Sequence, residues 1–265
     1  VRPRRQGRRP DRRAAGRRVN IPRPSLAVYL MADDDAPALA EAAVRGGATV
    51  IELGIPYSDP LADGTTIQRA AQAALDRGVT PRRALEILRE IDARVDVPLV
   101  PMTYGAIVEG YGEEDFCRDA AAAGAEGLIV ADVPPEESGV LRDAARDAGI
   151  DLIHLVAPTS RPERIRVAAE ASRGFVYLVA AVGVTGARES LDDRVAALVE
   201  TTREAAGDTP VLGGFGVSRR EHVQGLVAAG ADGAIVGSAA IDAIERGGPE
   251  ALEELVRDLA AGLAG

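Results

Sequence analysis

The chain has 265 residues, 46% of them hydrophobic, a formal net charge of −10 and no lysine, so all 31 basic residues are Arg. That length allows one large α/β domain with a sizeable core, and no run approaches the roughly 18 apolar residues a membrane helix needs. A single cysteine, Cys117, excludes an internal disulfide and a Cys-based zinc site, and two histidines, His154 and His222, leave little for metal or His-based catalysis.

Residues 1–24 hold ten Arg and one acid, Asp11, so residues 25–265 carry −19 (−10 minus +9). The Arg-rich start reads as a basic arm for nucleic acid, a transit peptide, or a disordered or non-native tail. Its few apolar residues favour the tail, with the catalytic domain taken as 25–265. An acidic, Lys-free body points to high-GC coding and to salt adaptation, in which a charged, hydrated surface keeps the protein soluble. An ordinary acidic cytoplasmic enzyme is the alternative.

From residue 25 the chain alternates apolar runs with amphipathic segments. The expected strands are Leu26–Met31, Ala48–Leu53, Pro98–Thr103, Gly127–Ala131, Asp151–Val156, Gly174–Ala180, Pro210–Gly213 and Gly233–Val236. Their unbroken Val/Ile/Leu/Ala character marks strands covered on both faces. Between them, spacings such as Ala84, Leu85, Ile87, Leu88 and Ile91 predict helices. Starts are expected after Thr80-Pro81, Pro134-Pro135, Ser160-Arg161-Pro162 and Ser218. Glycines at 47, 124, 149 and 230 close helices before strands. Eight such βα units predict a single-domain (β/α)8 TIM barrel; an open doubly wound sheet is the alternative.

The second strand carries Glu52 near its end, where a charge is expensive unless it has a task. The Gly/Pro-rich loop Gly54-Ile55-Pro56-Tyr57-Ser58-Asp59-Pro60-Leu61-Ala62-Asp63-Gly64 then presents Asp63. A carboxyl group in an apolar setting can have a raised pKa and serve as general acid and base, while an ionised one can hold an N–H donor. Across the expected barrel mouth, Val182-Gly183-Val184-Thr185-Gly186-Ala187, Gly213-Gly214-Phe215-Gly216-Val217-Ser218 and Gly237-Ser238-Ala239 are glycine-rich loops after the last three strands. Backbone N–H groups there suit a phosphate, and the lack of Arg within these loops suits an anchoring handle rather than a transferred phosphoryl group. Tyr29, Tyr104, Phe175, Tyr177 and Phe215 are expected to line the space between acids and phosphate, Tyr177 and Phe215 foremost. Asp132 reads as a structural or relay residue, Cys117 as core, His154 as packing and His222 as surface.

These motifs, with Val130-Ala131-Asp132-Val133-Pro134, resemble the tryptophan synthase alpha subunit family from about residue 25 onward. The resemblance implies a retro-aldol cleavage of indole-3-glycerol phosphate to indole and glyceraldehyde 3-phosphate, as one half of a lyase complex. It makes Glu52 the general acid/base, Asp63 the holder of the indole N–H, and Tyr177 an active-site neighbour. Gly186, Gly216, Gly237 and Ser238 hold the phosphate, with Thr185 on the loop that closes over substrate. The implied partner is a pyridoxal-phosphate beta subunit in an α2β2 tetramer, contacted by Pro56 and Asp59. No cofactor or metal is implied in this chain, no nucleic acid and no membrane, and the location is cytoplasmic. Three departures stand out: the family's N-terminal helix, which closes the barrel bottom, is replaced by the Arg-rich segment; Asp33-Asp34-Asp35 replaces a Gly-Asp-Pro; and Ala106 replaces an Asn at the partner interface. Two rival readings remain. Another barrel of the same pathway normally needs a Lys or Cys, and a non-catalytic activator of the beta subunit does not need the Glu52–Asp63 pair.

Overall fold

The computed structural model describes residues 18–179 and 193–264. In chain order the elements are β1 (Ser25–Met31), α1 (Ala36–Gly46), β2 (Val50–Gly54), α2 (Thr65–Asp76), α3 (Pro81–Asp92), β3 (Leu99–Thr103), α4 (Gly105–Tyr111), α5 (Glu113–Ala122), β4 (Gly127–Val130), α6 (Gly139–Ala148), β5 (Asp151–Ile153), β6 (Leu155–Val156), α7 (Pro162–Ala171), β7 (Val176–Val179), α8 (Asp193–Ala206), β8 (Val211–Gly214), α9 (Arg220–Ala228), β9 (Gly233–Val236) and α10 (Ser238–Ala261).

Every strand pairing is parallel, and the order is β5-β4-β3-β2-β1-β9-β8-β7-β6. The two ends of that series, β5 and β6, are consecutive pieces of one expected strand, broken at His154, so the sheet returns on itself as a barrel. The break has a local cause. The His154 amide donates to Ser172 Oγ (3.0 Å) instead of to a strand, while its carbonyl accepts from Tyr177 (3.2 Å). Burial, with help from Arg142, lowers the His154 pKa to about 4, so its ring packs there neutral.

Helix starts follow the sequence where a cap is available. Thr80 accepts from the Arg83 amide (3.2 Å) and Pro81 opens α3; Pro162 opens α7. Two starts move. A turn in which Ser138 Oγ donates to the Pro135 carbonyl (2.9 Å) delays α6 to Gly139, and α9 begins at Arg220. Gly47 ends α1 at φ 115°, and its amide reaches back to the last turn, as a left-handed cap does.

The core has two compartments. The larger lies between barrel and helices and contains Cys117, fully buried. The smaller fills the barrel interior with Ala27, Val50, Val100, Ile129, Ile153, Phe175, Leu212 and Ile235. Val19 and Ile21 complete this second compartment at 8% exposure each. The expected boundary at residue 24 therefore needs correction. Residues 18–24 belong to the packed body: the Val19 amide donates to Asp151 Oδ2 (3.0 Å), Arg18 lies 3.7 Å from the same carboxylate, and Arg23 pairs with Asp232 (3.7 Å). This segment covers the barrel bottom where a helix was expected to be missing. The substituted Asp33-Asp34 is also accommodated, since Asp33 pairs with Arg77 and Asp34 with Arg83.

Candidate active site

Strand side chains alternate between faces, so inward positions recur every second residue. Counting two up from the barrel-filling layer leads from Ala27 to Tyr29, Val50 to Glu52, Val100 to Met102, Phe175 to Tyr177, Leu212 to Gly214 and Ile235 to Gly237. All six destinations line a cavity of about 190 Å³ at the C-terminal mouth, together with Asp63, Ile67, Val179, Gly216 and Ser238. Asp63 reaches it from the β2–α2 loop, which is pinned by Gln68 Nε2 donating to the Asp63 carbonyl (2.8 Å).

Glu52 is 1% exposed, and neither of its carboxylate oxygens has a hydrogen-bond partner among the described residues. Burial, reinforced by the nearby charge of Asp63, raises its pKa to about 8, so it is protonated at neutral pH. Asp63 is less enclosed. Burial raises its pKa, and the Tyr104 hydroxyl, close by but short of full hydrogen-bond geometry, pulls it back down. Glu52 is thus the acid loaded with a proton, while at Asp63 the Tyr104 hydroxyl works against burial and favours the ionised form. The hydroxyls of Tyr29 and Tyr177 are pushed well above their usual range by burial and by both acids, and so remain neutral donors. Among the described residues no Arg lines the cavity.

On the opposite wall Gly216 takes φ +61°, and Gly237 precedes Ser238, the first residue of α10. The Ala240 amide turns back to the Gly237 carbonyl (2.9 Å), while N–H groups that open a helix lack an intrahelical acceptor and, with the helix dipole, favour an anion. Gly214 is there for space: a Cβ would come within 2.7 Å of the Tyr177 ring. Thr185 and Gly186 lie outside the described residues.

Two aromatic expectations are not met at the cavity wall. Phe215, just past the end of β8, is half-buried against the larger core and is not among the residues lining the cavity. Phe175 is inward but one layer too low, in the barrel-filling compartment. Tyr104 stands behind the cavity wall, 4% exposed, its ring 5.1 Å from that of Tyr57. Asp132 accepts from the Gly105 amide (2.7 Å) and ties the loops after β3 and β4 together. The apolar wall of Met102, Val179 and Ile235 carries no separate sequence signal; the two-residue count finds Met102, a second step finds Val179, and Ile235 is the top of the buried layer itself. At the rim, Asp59 and Ala106 are exposed and Leu61 is 80% exposed, whereas Pro56 is buried inside the chain. Among the described residues no cluster of His, Cys, Asp and Glu could hold a metal ion, and no helix is long and apolar enough to cross a membrane.

A family model described as tryptophan synthase alpha chain matches residues 22–262. The chain belongs to the tryptophan synthase alpha chain family. As a member it is a lyase-type enzyme of tryptophan biosynthesis. Among relatives, the alpha chain of Prochlorococcus marinus is 46% identical over 83% of this chain and 84% of its own. That of Natronomonas pharaonis is 43% identical over 90% and 92%, and that of Halobacterium salinarum 44% over 91% and 90%. Among solved structures, Mycobacterium tuberculosis tryptophan synthase superposes with a TM-score of 0.84 at 41% identity, covering 91% of this chain and 93% of that one. The α2β2 complex of Pyrococcus furiosus tryptophan synthase does so with a TM-score of 0.84 at 38% identity, covering 91% and 100%.

Proposed function

We propose that this alpha chain cleaves indole-3-glycerol phosphate to indole and glyceraldehyde 3-phosphate, with Glu52 as the proton carrier. The observation that carries the reading is a buried, unpartnered, protonated carboxyl group facing a cavity whose far wall suits an anion. Glu52 delivers its proton to the indole ring carbon that bears the side chain, and takes up the proton of the adjacent glycerol hydroxyl as the C–C bond breaks and the aldehyde forms. Asp63 accepts a hydrogen bond from the indole N–H and steadies the positive charge that develops on the ring. Tyr177 packs beside Glu52. The amides around Gly216, Gly237 and Ser238, with Thr185 and Gly186 on the remaining loop and the backbone of Phe215, hold the phosphate.

Asp59, with the neighbouring Pro56 shaping the loop from within, sits on the rim that meets a beta subunit in an α2β2 assembly. The pyridoxal phosphate of that assembly belongs to the beta subunit, and the step assigned to this chain needs no cofactor. A cytoplasmic, salt-adapted setting fits the acidic body and the Natronomonas and Halobacterium relatives.

The test is indole release from indole-3-glycerol phosphate, with and without the beta subunit. Slow release by the chain alone, faster release with beta, and a loss of about 10³-fold in Glu52→Gln are expected. Undiminished release by Glu52→Gln would sink the mechanism. Activation of the beta subunit with no indole release under any condition would favour a non-catalytic partner role.

A further inference from the structure

We propose that Tyr29 is a positioning residue for Glu52: its hydroxyl donates a hydrogen bond to the Glu52 carboxylate once Glu52 has released its proton. This rests on the assignment of Glu52 as the proton carrier.

The placement comes from strand geometry. Tyr29 of β1 and Glu52 of β2 are register partners in a parallel pair, so their side chains stand next to each other on the inner face. The ring of Tyr29 then rises along β2. A Cβ placed on Gly54, the next inward position above Glu52, would lie 1.9 Å from the Tyr29 hydroxyl oxygen and 2.4 Å from Cζ. The hydroxyl therefore occupies the space directly on the mouth side of Glu52, and both residues line the same cavity.

Chemistry supplies the need. As a neutral acid, Glu52 tolerates its lack of partners. As a carboxylate it is a buried charge in a cavity that no cation lines among the described residues, and such a charge must find a donor. The titratable groups acting on Tyr29 are Asp63, Glu52, Tyr104 and Tyr177, and all of them, with burial, keep its proton in place. Tyr104 lies close to Asp63, and Tyr177 also acts on Glu52 from β7, but of the three tyrosines only Tyr29 is the register partner of Glu52 on a neighbouring strand. Packing alone does not require the hydroxyl, since Phe would fill the same space over Gly54.

The full chain with its beta subunit is assayed for indole release as wild type, Tyr29→Phe and Gly54→Ala. Tyr29→Phe is expected to lower kcat about tenfold with KM within about twofold, as the loss of one bond to a charged group does. Glu52 acts in its protonated form, so loss of a donor to the carboxylate raises its pKa and moves the alkaline limb of the kcat profile up by about one pH unit. Gly54→Ala displaces the hydroxyl while keeping Tyr29, and must move the limb the same way. An unmoved limb in Tyr29→Phe, at any kcat, overturns the proposal. Adding Tyr29→Phe to Glu52→Gln must cause no further loss, and an additive loss also overturns it. Full activity in Glu52→Gln refutes the assignment of Glu52 itself. An inactive Glu52→Gln beside a Tyr29→Phe with the wild-type limb refutes only the role of Tyr29.

Discussion

Glu52 shows how one residue ties chemistry to stability. Its folded pKa of about 8 lies above the ordinary carboxyl value of 4.5. Below pH 4.5 the group is neutral in both folded and unfolded chains and has no effect. Between pH 4.5 and 8 the unfolded chain ionises and the folded one does not, so the fold loses stability as pH rises, and above 8 the deficit is constant. Glu52→Gln should therefore leave the melting temperature unchanged at pH 4 and raise it by about 5 °C at pH 9. Scanning calorimetry at the two pH values checks this; equal effects at both would mean that Glu52 is not held protonated. The same pKa predicts that indole release by the wild type falls as pH rises through about 8, because the proton to be delivered is lost. The sequence made Glu52 conspicuous because a charge interrupts an apolar run. It could not tell which of the apolar residues at a strand end line the cavity, because such residues look alike whichever face they occupy.

At the scale of elements, the barrel is completed by two features with weak local signals. One is the His154 break, which lets one expected strand pair with β4 through β5 and with β7 through β6. Its residues read as a continuous apolar strand, and only the Ser172 hydroxyl across the chain diverts the His154 amide. The other is the segment before β1. Val19 and Ile21 are two apolar residues beside Arg-rich sequence, too few to predict packing by periodicity. They are nevertheless buried because eight inward strand residues leave an open barrel bottom to be covered. Ile21→Ala should destabilise the protein by about 2 kcal/mol in urea unfolding, with kcat within about twofold, because the plug lies at the end of the barrel away from the cavity. A cost below about 0.5 kcal/mol would mean that the segment merely rests on the surface.

Over the whole molecule the surface is a field of acids partly offset by arginines. Arg83 reaches Asp34, Glu86 and Glu90, and Arg69 reaches Asp242 and Glu245, all with exposed or half-exposed side chains. Such pairs are individually weak, and residues 25–265 keep a net −19 (−10 minus +9). Self-repulsion of that size is relieved by counter-ions, whose screening length falls to about 3 Å at 1 M salt. The melting temperature is expected to climb by about 10 °C between 0.1 M and 2 M KCl. A flat or falling trend would place this chain with ordinary acidic enzymes.

The alternation of covered strands and amphipathic helices, the acid pair on one βα unit, and the glycine-rich loops on the opposite side are all written in the order of residues along the chain. These are local patterns, and local patterns report whether a residue is buried. They do not report against what, because a parallel barrel strand is apolar on both faces. The tertiary structure decided which inward positions form the plug and which form the cavity. It turned Tyr29 inward over Gly54, and it enclosed Glu52 without a partner. That enclosure, which no neighbour in the sequence encodes, is the reason its carboxyl group holds a proton at neutral pH.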